Sequence, residues 1–103
     1  MQCLITGATG FVGSAVVRAA LRDGWQVRVT RRGASDMRAL DGLEVEIVTV
    51  DLSDTEALTQ AMAACDAVFH VAADYRLWAA DPNELYENNV EGTRRVCEAA
   101  LAA

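Results

Sequence analysis

The chain has 103 residues, 52% of them hydrophobic, with one proline and seven glycines, a composition that fits one globular domain with a real core and excludes a disordered segment. Nine basic against fifteen acidic side chains leave a net charge of −6, which argues against a nucleic-acid partner, because such partners are read by clustered Lys and Arg. The three cysteines (Cys3, Cys65, Cys97) and the single histidine are too few and too scattered for a disulfide framework or a zinc site, so no metal is expected.

The first residues carry no basic leader, and no apolar run approaches the ~18 residues of a membrane span, so a cytoplasmic protein with reduced thiols is expected. Residues 2 to 6 form a short apolar run stopped by Gly7, which predicts a buried strand. A helical pattern follows from Phe11 to Asp23, with an apolar stripe of Val12, Val16, Val17, Ala20 and Leu21, and Gly24 supplies its stop. Gln26 to Thr30 alternates like a strand, completing a βαβ unit of about 30 residues. Gly33 and Gly42 bracket a short helical stretch, Ala34 to Asp41, before a third strand at Glu44 to Val50. Ser53 and Glu56 make a capping-box pattern for a helix with Leu58, Ala61 and Met62 inward. Ala67 to Ala72 reads as a fourth strand, nearly continuous in apolar character, as a strand covered on both faces should be. A loop, Ala73 to Ala80, leads to a last helix that starts at Asp81-Pro82-Asn83-Glu84 and runs to about Ala102, its stripe using Leu85, Asn89, Gly92 or Thr93, Val96 and Ala100. Strands alternating with helices mean an α/β domain with a parallel sheet.

Thr6-Gly7-Ala8-Thr9-Gly10-Phe11-Val12-Gly13 stands between the first strand and the first helix, where a dinucleotide-binding turn belongs. Gly7 permits the tight turn, Gly10 lets a pyrophosphate approach the backbone, and Gly13 allows the helix to pack closely on the strand. The first helical turn, Gly10 to Val12, presents N–H groups to the anion. No lysine follows the glycines, so the turn is not a P-loop. Where an acid usually follows the second strand to accept the ribose hydroxyls, Thr30-Arg31-Arg32 stands instead. Arg31 suits a 2′-phosphate, which favours NADP over NAD, with Asp36 the rival ribose acceptor if the cofactor is NAD. Ala72 and Ala73 are small at a strand's carboxyl end, where a bulky side chain would meet the cofactor ribose. His70, among apolar neighbours, reads as a hydrogen-bonded core residue with no chemical role. Tyr75, Arg76 and Trp78 lie in a loop beyond a strand end, a placement suited to substrate contact or simply to packing the loop.

The Gly-x-x-Gly-x-x-Gly spacing resembles the extended short-chain dehydrogenase/reductase superfamily, which includes NAD-dependent epimerase/dehydratases and dihydroflavonol-reductase-like proteins. Four further segments agree with it in order: Asp51-Leu52, His70-Val71-Ala72-Ala73, Asp74-Tyr75-Arg76-Leu77-Trp78 and Asn89-Val90-Glu91-Gly92-Thr93. The loop from Ala72 to Trp78 is most similar to the hopanoid-associated sugar epimerase branch. The resemblance covers the whole chain but only the amino-terminal part of the family's fold. It implies a Rossmann-type parallel sheet, partial, in strand order 3-2-1-4 with helices on both faces, and a dinucleotide across the carboxyl ends of strands one and four. It also implies that Asp51 and Leu52 contact the adenine, and that Asn89 helps to hold the strand ends behind the active site.

The cofactor contacts expected are therefore Gly7, Thr9, Gly10, Phe11, Val12, Gly13, Arg31, Asp51, Leu52, Ala72 and Ala73. The family's catalytic Tyr-x-x-x-Lys has no match, because all nine basic residues are arginine. No catalytic residue is assigned, and residues 1–103 on their own are expected to show no turnover. The reading is the NAD(P)-binding segment of a longer oxidoreductase or epimerase acting on a hydroxyl-bearing carbon, such as that of a sugar. The alternative is a dinucleotide-sensing module without catalysis. Its partners would be the cofactor and a small-molecule substrate, with self-association through a bare edge of the fourth strand.

Overall fold

The computed structural model describes residues 1–32, 38–72, 81, 83 and 86–103, with Asn88 described in its backbone only. Strand β1 is Gln2–Thr6, β2 Gln26–Arg31, β3 Val45–Thr49 and β4 Ala67–His70. They form one sheet in the order β3-β2-β1-β4, and every neighbouring pair is parallel. Helix α1, Phe11–Arg22, connects β1 to β2, and α2, Thr55–Ala61, connects β3 to β4. A π turn at Glu87–Glu91 leads into α3, Gly92–Ala102.

The middle of the sheet is apolar on both faces because helices cover both. Cys3 and Ile5 of β1 pack with Val27 and Val29 of β2 against Val17 and Ala20 of α1. Leu4 points the other way, into Leu58, Ala61 and Met62 at α2 and Val96 and Ala99 of α3. The two-residue alternation of a strand thus feeds two separate cores. Arg28 emerges on the α2 side of β2. It donates to Glu46 Oε2 at 2.8 Å and to the carbonyls of Ala61 and Ala63 at 2.6 and 2.9 Å. A cation at the carboxyl end of α2 satisfies carbonyls that the helix leaves free.

Several boundaries differ from the expectation. β4 stops at His70 rather than Ala72: the Val71 N–H is shared between the Thr6 carbonyl at 3.3 Å and the Thr6 hydroxyl at 3.1 Å, and the Ala72 N–H turns to that hydroxyl at 3.2 Å. It is also only partly buried, as a strand with one neighbour must be, and Phe69 is 39% exposed. The capping box does not form. Asp54 is the N-cap of α2, accepting from Ala57 N–H at 3.0 Å, while Ser53 turns back to Asp51. Of the stretch from Ala34 to Asp41, residues 38–41 are described, and a single 3-10 turn occupies Arg38–Leu40. In the last helix Gly92 and Val96 are buried as expected, but Ala99 takes the inward position expected of Ala100, which is exposed. Val12 of the predicted α1 stripe is 55% exposed, because it faces a cleft rather than the core.

Candidate dinucleotide site

The carboxyl ends of the strands open into a cleft of about 760 Å3. Its floor is the turn from β1 to α1. Gly7 adopts φ +68°, and a Cβ there would stand 2.5 Å from Ala72 N, so β4's exit crosses directly over it. A Cβ on Gly13 would lie 1.8 Å from Gly7 O, which is how closely α1 is seated on the turn. Gly10 differs: at φ −80° its Cβ would meet only Gly7 O, at 3.6 Å, so what its missing side chain leaves open is the cleft itself.

Gly10 is also the N-cap of α1, with no side-chain cap and no acid in the first turn. The positive end of α1 and its N–H groups therefore face the cleft with no acid in the helix's own first turn to compete. Along the other wall, Arg31 ends β2 and Arg32 follows it. Arg31 Nε is buried and has no hydrogen-bond partner among the described residues. A buried donor of this kind is costly unless an acceptor arrives, and the residue that carries it lines a cleft that can admit one. Asp51 lies after β3, its Oδ1 accepting from the Ser53 N–H at 2.9 Å and the Ser53 hydroxyl at 2.8 Å. Those two bonds hold the carboxyl below the usual carboxylate range.

Gly7, Thr9, Gly10, Phe11, Val12, Gly13, Arg31, Asp51, Leu52 and Ala72 all line this cleft. Ala73 lies outside the described residues, as do Asp36 and the loop bearing Tyr75, Arg76 and Trp78. Phe11 is 92% exposed at the mouth. His70 makes two bonds, from Nδ1 to Thr6 Oγ1 at 2.7 Å and from Nε2 to Thr93 Oγ1 at 3.1 Å, as a hydrogen-bonded core histidine should. Asn89 serves this row through its backbone, its carbonyl accepting from the Thr93 hydroxyl at 2.6 Å.

Sequence reasoning missed Glu87, Gly92 and Arg95, which close the far side of the cleft. Arg95 is paired with Glu87. Eight positions apart on an ordinary helix, the two would diverge. A π turn takes roughly one residue more than an α turn, so one of each spans about eight residues and brings them to one face. Nothing in the local sequence announces a π turn. No cluster of His, Cys, Asp or Glu suited to a metal occurs among the described residues.

Parallel strand order, a glycine turn entering a helix, and a cleft over the strand ends define a Rossmann-type domain. The chain belongs to the NAD dependent epimerase/dehydratase family, whose model matches residues 3–103. It is 44% identical over 99 residues to a Synechocystis sp. protein described provisionally as a dihydroflavonol 4-reductase, covering 96% of this chain and 29% of that protein. A short-chain dehydrogenase/reductase superfamily protein of Agrobacterium tumefaciens, solved with bound NAD, superposes with a TM-score of 0.77 at 39% identity, over 100% of this chain and 30% of its own. The UDP-glucose 4-epimerase of Thermus thermophilus, solved with NAD, gives a TM-score of 0.81 at 32% identity, over 96% and 33%. The chain therefore spans about a third or less of the length of these relatives. No helix among the described residues is long and apolar enough to cross a membrane.

Proposed function

We propose that residues 1–103 are the dinucleotide-holding part of an oxidoreductase or epimerase that acts on a hydroxyl-bearing carbon of a small molecule such as a sugar, and that NADP is preferred to NAD. The observation that carries this reading is the convergence on one cleft of an uncapped helix start and of Arg31, whose buried Nε has no partner among the described residues. The pyrophosphate lies against Gly10 to Val12, where the first turn of α1 donates. The adenine end extends towards Asp51 and Leu52, and Arg31 meets the 2′-phosphate with a donor that no described residue satisfies. Ala72 leaves room for the ribose beside Gly7. When bound, the nicotinamide supplies hydride transfer to or from the substrate carbon.

The proton step belongs to residues that this segment does not carry, since no tyrosine is followed by a lysine. Residues 1–103 bind and orient the cofactor and leave acid-base work to the remainder of the enzyme. The relatives named as a reductase and an epimerase support a hydroxyl-bearing carbon as the target. The free thiols of Cys3, Cys65 and Cys97 fit the reducing cytoplasm.

Titration with NADP and NAD side by side tests the reading. A charge-assisted contact to the 2′-phosphate is worth about 1.5 to 3 kcal/mol, or roughly ten- to a hundredfold in Kd. Arg31→Asp removes that margin and leaves NAD binding close to its original strength. Equal or tighter binding of NAD by the unmodified protein rejects the NADP assignment, and failure to bind either cofactor rejects the site.

A further inference from the structure

His70 sits at the end of β4, between β1 and α3, and its hydrogen bonds run in one direction only. The Thr93 hydroxyl has a single proton and donates it to the Asn89 carbonyl at 2.6 Å. Its contact with His70 Nε2 at 3.1 Å is therefore one in which the ring N–H donates. At the other end, Thr6 Oγ1 accepts from Ala72 N–H at 3.2 Å and from Val71 N–H at 3.1 Å, the latter shared with the Thr6 carbonyl at 3.3 Å, so two N–H donors already point at its lone pairs. It can only donate to His70 Nδ1, at 2.7 Å, so Nδ1 carries no proton. The ring is thus the neutral Nε2–H tautomer. Burial acts in the same sense, lowering the imidazole from its ordinary value.

The two ends of this row lie behind different parts of the cleft, Thr6 beside the glycine turn of its floor and Thr93 beside its α3 wall. Thr6 precedes the Gly7 turn and holds the Ala72 backbone over it, whereas Thr93 follows Gly92 on the α3 side, two residues before Arg95. We propose that His70, locked as the neutral Nε2–H tautomer between Thr6 and Thr93, is a positioning residue that sets the spacing between the glycine turn and the α3 wall and thereby shapes the dinucleotide site. The ring does not line the cleft. It acts through Thr6, whose hydroxyl is oriented by donating to Nδ1, and a ring protonated at Nδ1 would oppose two donors across that contact. The inference rests on the dinucleotide reading above.

The test combines a spectroscopic signature with a graded pair of variants. In 15N-labelled protein at neutral pH, the His70 ring should show a pyridine-type Nδ1 and a pyrrole-type Nε2. Thr93→Val keeps the side-chain shape but removes the acceptor for Nε2–H. It should weaken binding of the tighter of NADP and NAD by about three- to tenfold, in keeping with the loss of one buried hydrogen bond. Thr93→Ser, which restores the hydroxyl, should return affinity to within about twofold of the original. Equilibrium unfolding of both variants shows that the fold is retained, and His70→Gln provides a second probe of the same row should Thr93→Val not fold. An imidazolium, an Nδ1–H tautomer, or unchanged affinity in folded Thr93→Val or His70→Gln overturns the inference. Failure of the unmodified protein to bind either dinucleotide overturns the underlying reading as well, whereas binding that is indifferent to these variants overturns this inference alone.

Discussion

Gly10 and Gly13 stand three residues apart around one turn, and substitution should separate binding from folding. A Cβ at Gly13 would approach Gly7 O to 1.8 Å, so α1 must withdraw by more than 1 Å before even the tightest tolerable contact is reached. Both groups are backbone, so no side-chain rotation relieves the overlap. Overpacking of this kind costs about 1 to 3 kcal/mol where side chains can yield, and Gly13→Ala should lie at or beyond the upper end. At Gly10 the backbone has φ −80° and ψ 175°, which any residue adopts, and the new Cβ lies 3.6 Å from Gly7 O. Gly10→Val loses a favourable N-cap but gains from a less mobile unfolded chain, and the two nearly offset, leaving stability within about 1 kcal/mol. Its branched side chain nevertheless fills the space over the first turn of α1. The assay is urea unfolding together with cofactor titration on both variants. Gly10→Val should fold normally and lose dinucleotide binding by more than a hundredfold, ~3 kcal/mol. Gly13→Ala should lose stability first. Unchanged affinity in Gly10→Val, or unchanged stability in Gly13→Ala, would refute the reasoning.

Arg28→Met should destabilise the protein by about 1 to 3 kcal/mol in urea unfolding, because the carbonyls of Ala61 and Ala63 both lose their charged donor; a smaller change would mean that water replaces the guanidinium. His70 has a lowered pKa from burial, so the folded protein binds fewer protons there than the unfolded chain. Its contribution is complete above the ordinary histidine value of about 6.5 and is lost as pH falls from there through the depressed folded value. Unfolding free energies measured down this range should show that loss in the unmodified protein and not in His70→Gln. The outer edge of β4 carries Phe69, 39% exposed, and no strand beyond it among the described residues, so residues 1–103 alone should self-associate through it. Sedimentation velocity should show the mass rising with concentration, and a monomer throughout would reject the edge as an interface.

The βαβ order, the glycine turn and its helix, and the basic pair at the end of β2 were all legible in the linear chain. Each depends on local rules: apolar period, the conformational demands of glycine near a turn, and the residue that follows a strand. Strand order and the choice of Asp51 and Leu52 were reached by family likeness, and the structure shows the order and brings both residues to the cleft. Where local patterns competed, the three-dimensional structure decided. Ser53 matched a cap but bonds to Asp51, because the chain enters α2 one residue later and Asp54 is the side chain placed to accept from Ala57. β4 ended early because the hydroxyl of Thr6, some sixty-five residues away in sequence, drew the Ala72 amide and shares the Val71 amide with the Thr6 carbonyl. Glu87 and Arg95 met across a π turn with no local signature, since an inserted residue is tolerated wherever tertiary contacts repay the disturbed helix. His70 shows the division most plainly. Its apolar neighbours foretold burial and a partner, but the tautomer follows from Thr6 and Thr93 together, and only folding brings two hydroxyls from distant segments to opposite sides of one ring.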